Sequence, residues 1–316
     1  MKLKIAFLQF VGIFIIIIST KSYSQIAVTN VSEIAKLKTG TTFFAMKDPA
    51  SPKAAAYVDA IKKNWTISKV ACIKYTDVEK NIAPNNSFVT IGANMTSSNS
   101  TMENTETRIY LELWTTNGNY TYDPKKRKHF NQADKISLAT IELFADFTAQ
   151  NYPSSLYKMD YDASGHLENW SAGILANYIQ QVTILLNKGE VREAKTTIYN
   201  KEEIKKLASE TLFIPDYVMT KYSKTSDDES KKYETKEIFD GYNLNYKLLT
   251  LEELNNKITN SSTPFYYLLF IKTISEKFVT VTNSKTGEII YSEYSGSPAN
   301  FKSSDLRDLQ KAIQKK

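Results

Sequence analysis

Histidine, cysteine and glycine are all scarce in this chain. Two His (His129, His166) and one Cys (Cys72) among 316 residues exclude a His/Cys zinc site, a disulfide framework and most His-based relays. Ten glycines, against an average usage of roughly 7%, leave little material for phosphate-cradling loops. Neither a dinucleotide fingerprint nor a P-loop pattern occurs. Beyond Ile18 there is no apolar run of membrane-spanning length. Nothing in the sequence calls for a cofactor or a resident metal.

The composition is otherwise that of a folded protein: 42% hydrophobic, 23% charged and 12% aromatic, enough to bury a core and far from the disordered class.

Residues 1–24 read as a signal peptide. Lys2 and Lys4 form the basic start, Ile5 to Ile18 the apolar stretch, and Ser22 and Ser24 the small residues ahead of a cut. The apolar stretch is shorter than the ~20 residues a spanning helix needs. Export by the general secretory route follows, to the periplasm or outside a bacterial cell. Lys2, Lys4 and Lys21 leave with the leader and no acid does, so the formal charge falls from +6 to 37 basic against 34 acidic residues, or +3. That balance gives no support for nucleic-acid binding.

The chain also repeats itself. Residues 33–44 (EIAKLKTGTTFF) align with 203–214 (EIKKLASETLFI) at an offset of 170, with six of twelve positions identical. Farther on the offset becomes 177, pairing Ile61 with Ile238, Trp65 with Tyr242 and Phe88 with Phe265. One insertion in the polar stretch 223–232 accounts for the shift, since a surface loop lengthens at little cost. Each copy reads as alternating strands and helices, hence an α/β module of order βαβαββα with a mixed sheet. Copy one (25–151) closes with a helix over 134–151, and copy two (200–316) with one over 304–314. Between them a linker (152–199) contains a helix over 167–188, capped by Asn169 or Ser171 and stopped by Gly189. Its apolar residues cover more than one face, so it is expected to be buried between the modules.

Chemistry-bearing candidates are few. Ligands favour the carboxyl ends of parallel strands in α/β sheets, which selects Lys47 and Asp48 in copy one and Asp216 and Tyr217 in copy two as ligand-binding candidates. Asp160, Asp162, Ser164 and Gly165 imitate the start of a calcium loop, but Ser171 stands where a bidentate Glu belongs. Cys72 lies in an apolar strand as a small core residue. Tyr120, Tyr122 and Tyr157 are candidates for an exposed aromatic cluster. No catalytic signature emerges. The expected function is an exported, non-enzymatic protein whose modules bind a partner protein or envelope component. The alternative is a carboxylate-dependent hydrolase acting on envelope or extracellular glycans, which needs two acids converging in one cleft. The intact mass of the exported protein is expected to correspond to a chain beginning at Gln25. Retention of residues 1–24 in a membrane fraction would identify an uncleaved anchor instead.

Overall fold

The computed structural model describes residues 25–97, 105–120, 122–123, 130–158, 165–193, 197–223, 229–273, 276–296 and 300–315. The signal-peptide reading, the calcium-like residues Asp160, Asp162 and Ser164, and the centre of the proposed insertion (224–228) lie outside them.

The first module runs β1 (Ile26–Val28), α1 (Ile34–Thr39), β2 (Thr41–Met46), α2 (Ala55–Asn64), β3 (Lys69–Lys74), β4 (Ser87–Ser97), β5 (Thr105–Thr116), β6 (Lys135–Leu143) and α3 (Phe147–Asn151). The long helix α4 (Ala172–Lys188) follows. The second module runs β7 (Ile198–Tyr199), α5 (Lys201–Ile204), β8 (Leu212–Pro215), α6 (Thr235–Phe239) and β9 (Tyr246–Leu249). It continues with α7 (Leu251–Asn260), β10 (Tyr266–Lys272), β11 (Lys277–Asn283), β12 (Ile289–Ser295) and α8 (Ser303–Gln314).

The two six-stranded sheets have the orders β1-β6-β5-β4-β2-β3 and β7-β12-β11-β10-β8-β9. Matched in chain order, these are one topology used twice. In each, the second strand pairs in parallel with the third and fourth, and the remaining pairs are antiparallel. The registers agree in finer detail. In module one the β5–β6 ladder slips between Leu113 and Trp114, leaving Leu138 unopposed. In module two the β11–β12 ladder slips between Val281 and Thr282, leaving Ile290 unopposed. Traced through the pairing, Leu113 falls on Val281 and Leu138 on Ile290. Bulges are built into a strand by design rather than by accident, and a shared bulge is what duplication of one unit produces. The α/β class, the tandem modules and the mixed sheets thus stand as the sequence reading has them.

Local chemistry explains most boundaries. Ser51 caps the turn into α2 with Pro52 at its first position. Thr250 and Glu253 close a capping box on α7. Ser171 accepts from the Ile174 N–H at the start of α4, and Gly189 at φ 62° ends it. Strand β10 is buried at all seven positions, as a central strand covered on both faces must be.

Three expectations need correction. The segment 135–143 is strand β6, not part of a closing helix, and only Phe147–Asn151 is helical there. The bulge is the reason: it shifts the strand's phase between Leu138 and Ala139, so that Ile136 and Ala139, and Leu138 and Ile141, fall three apart and imitate a helix face. Phe88 falls on Tyr267 rather than Phe265, because Phe43 pairs with Phe88 where Phe213 pairs with Tyr267. The error is two residues, one full pleat, which preserves the face. Tyr120 is buried, with Phe130, Trp114 and Phe88 in an aromatic stack on the outer face of sheet one. Ile61 and Ile238, and likewise Trp65 and Tyr242, occupy matching buried places in and just after α2 and α6.

Helix α4 is buried on 12 of its 17 positions. It packs on α2 of one module and α7 of the other, and a single apolar core runs from Ile26 through α4 to Ile313. Gln25 helps close the seam: its amide donates to Tyr178 Oη (2.8 Å) and the Glu142 carbonyl (3.2 Å), and accepts from Thr280 Oγ1 (3.4 Å). Among the described residues no helix is long and apolar enough to cross a membrane.

Trp65, 4% exposed, packs edge-on against Phe44. Trp65→Ala is expected to cost about 3–5 kcal/mol in denaturant melts. The Tyr242 hydroxyl is buried with no partner among the described residues, so Tyr242→Phe should be neutral or stabilising while Tyr242→Ala destabilises.

Candidate functional site

The sequence candidates sit at matching strand ends. Lys47 and Asp48 follow β2; Lys47 is exposed, and Asp48 is half-buried and lies 3.7 Å from Lys74 at the end of β3. The Asp48 carboxylate also accepts from the Ala50 N–H at 3.4 Å, the bond of a side chain that shapes its own turn. Asp216 and Tyr217 follow β8. Tyr217 is buried; its hydroxyl donates to the Phe270 carbonyl (3.0 Å) and accepts from the Phe270 N–H (3.2 Å). It therefore stands in for a neighbouring strand where β8 has ended. Burial holds the phenol well above its ordinary pKa.

Asp216 contributes to an acidic patch between the modules that sequence spacing did not mark. Glu168, half-buried in the turn before α4, has its carboxyl pushed up to about 7, first by burial and then by repulsion from Glu229, Asp146 and Asp216; the Tyr222 hydroxyl opposes the rise. Asp146 is itself engaged, sharing a 2.6 Å hydrogen bond with His166 Nδ1 and capping α3 through the Ala149 N–H at 2.7 Å. Of its members only Asp216 was marked in advance, by its place after β8. Cys72, half-buried on edge strand β3, is held up to about 11 by burial, which keeps its thiol protonated.

A cleft lies apart from all of these residues. It measures about 470 Å³, between the end of α4, the segment after it, and the β7–β12 edge of sheet two. That volume is within the range of ligand and peptide sites. Its lining includes Lys188, Glu288, Val191 and Tyr199, and the pair Arg192–Glu190 at 2.8 Å. Val191 (58% exposed) and Tyr199 (37%) are two of three large apolar side chains exposed among the described residues. Lys47, Asp48, Asp216, Tyr217 and Glu168 do not line it. Sequence reasoning missed this cleft because its residues converge from three separated stretches that share no motif.

The raised Glu168 pKa sets a pH dependence with a definite sign. A carboxyl that keeps its proton longer in the folded state makes the fold lose stability as pH rises from about 4.5 to about 7. Glu168→Gln removes that loss. Thermal melts are expected to show the variant gaining Tm over wild type at pH 8, with little difference at pH 5.

Compared with known proteins, the chain matches no protein-family model, no curated protein and no solved structure.

Proposed function

We propose that the protein is an exported, non-enzymatic binding protein whose paired modules hold a partner protein or an envelope component. One observation carries this reading. The 470 Å³ cleft gathers two of the three large apolar side chains exposed among the described residues, Val191 and Tyr199, beside Lys188, Glu288 and the Arg192–Glu190 pair. Apolar anchors with a polar rim are the anatomy of a recognition site. Lys47, Asp48 and Asp216, at the equivalent ends of β2 and β8, are secondary candidates for contacts to the same partner.

A second reading, the carboxylate-dependent hydrolase of envelope or extracellular glycans, is favoured by Glu168. A carboxyl raised to about 7 beside Asp146 and Asp216 has the proton affinity of a general acid. Against it, the cleft large enough for a sugar chain holds none of these acids.

The test is photo-crosslinking in the native cell from a reactive residue at Val191, with one at exposed Lys236 as control. A discrete adduct from Val191 alone is the expected result. Absence of an adduct from either position would overturn the binding reading. Release of reducing ends from purified envelope glycan, lost in Glu168→Gln, would establish the hydrolase.

A further inference from the structure

Matching the two modules strand by strand exposes a difference at their edges. Val28 of β1 lies opposite Ala139, and Tyr199 of β7 lies opposite Tyr291. The shared bulge makes Ala139 and Tyr291 equivalent, so Tyr199 holds in module two the place of Val28 in module one. In module one that edge is covered. The Val28 N–H donates to the Arg192 carbonyl (2.7 Å), and the Arg192 N–H donates to the Val28 carbonyl (2.9 Å). The chain leaving α4 thus bridges β1 through Arg192 alone.

In module two no segment does so among the described residues, and β7 ends its sheet. The Asn200 N–H reaches inward to the Ile290 carbonyl at 2.8 Å. Ladder bonds alternate in an antiparallel pair, so the N–H and C=O of Tyr199 point outward. The outward side faces the 470 Å³ cleft, whose opposite wall is Val191 and Arg192. Uncovered strand edges invite pairing with another chain, and proteins that leave one open either blunt it or use it.

We infer that the β7 edge binds an extended segment of a partner polypeptide through the backbone pair of Tyr199, as Arg192 binds that of Val28 in module one. This deepens the binding reading and rests on it. The cleft specifies the segment's chemistry. Tyr199 offers the backbone pair, while its own hydroxyl is held by the Ala312 carbonyl of α8 at 2.8 Å, and Val191 takes an apolar side chain. Of the charged side chains at the cleft, Arg192 and Glu190 pair with each other at 2.8 Å and Glu288 accepts from Asn200 at 3.0 Å. Lys188, with no ion pair among the described residues, takes an acidic residue of the segment.

The experiment selects random heptapeptides displayed on phage against the full exported chain, then measures the affinity of blocked synthetic copies. Tyr199→Pro deletes the outward N–H and spares the bonds of Asn200 to β12, a change edge strands tolerate. Tyr199→Ala keeps the N–H and loses the ring. The expected result is a loss of roughly tenfold or more in Tyr199→Pro and a smaller loss in Tyr199→Ala, as befits a missing backbone bond. Should the proline variant not fold, N-methylation of alternate peptide amides must abolish binding to the wild-type chain.

Peptides that bind equally well to the proline variant, or through N-methylated amides, would overturn the edge assignment while leaving the Val191 crosslink to judge the binding reading. A selection yielding no binder would overturn the inference outright. Concentration-dependent self-association in the ultracentrifuge that Tyr199→Pro abolishes would make a second copy the occupant and refute the partner assignment.

Discussion

Asn177, Tyr178 and Gln181 sit on a helix that both modules enclose, and each has to find its hydrogen-bond partners inside the protein. A buried amide or hydroxyl left unpaired costs enough to matter against a net stability of roughly 5–15 kcal/mol. Asn177 accepts from Tyr267 (2.8 Å) and donates to the Ser284 carbonyl (3.0 Å), while Gln181 accepts from the Ile289 N–H (3.1 Å). Those partners all belong to module two. Tyr178 bonds Gln25 (2.8 Å) and Asn169 (2.9 Å), and Gln180 reaches Asn64 (2.9 Å), on the other side. The polar residues of α4 therefore fix its rotation and depth against both sheets at once, which apolar packing alone does less exactingly. Two glycines record how close the approach is. A Cβ on Gly173 would meet Ile258 at 2.9 Å, and one on Gly287 would meet the Asn177 carbonyl oxygen at 2.3 Å. Gly287 also has a φ of +70°, so its lack of a side chain is required twice over.

Charge closes the seam at a second point. Arg108 of β5 binds Glu142 of β6 and lies 3.7 Å from Glu276 at the start of β11, and Glu276 accepts from Tyr294 at 2.9 Å. Ion pairs so poorly exposed add little net stability, because desolvation consumes most of the Coulomb gain. Their contribution is orientation: a module rotated out of place would strand a guanidinium or a carboxylate. Phe144 does the same with shape, meeting Tyr217, Tyr222 and Phe270 of the second module edge-on. The acidic patch around Glu168 lies along this seam, and its high proton affinity is a by-product of how closely the modules meet.

Much of this was legible in the sequence. The repeat at offset 170 marked the tandem modules, and the Ser171 and Gly189 caps marked α4 to within a few residues. Side chains that act locally, through caps, turns and one-face periodicity, leave a local trace. What was not legible depends on partners distant in sequence. The helix expected over 134–151 failed because a bulge, a property of the β5–β6 pair, rewrote the spacing of β6 alone. The placing of Phe88 on Phe265 failed because register is decided across strands and not along them. Tyr217 gave no sign that its hydroxyl would serve the backbone of Phe270. The cleft at β7 is defined by an edge left uncovered, and no residue pattern announces that.

The bond between Gln25 and Thr280 spans 255 residues. A ribosome adding roughly 5–20 residues per second needs some 13–51 s to cross that interval. Throughout it the Gln25 side-chain oxygen lacks its Thr280 donor, although its amide can already reach Glu142 and Tyr178. This one bond, unlike the pairing of β1 with β6, thus waits for most of the chain, a case of the high sequence separation that slows folding in general. Until then the Gln25 end of the seam is held by module one and α4 alone.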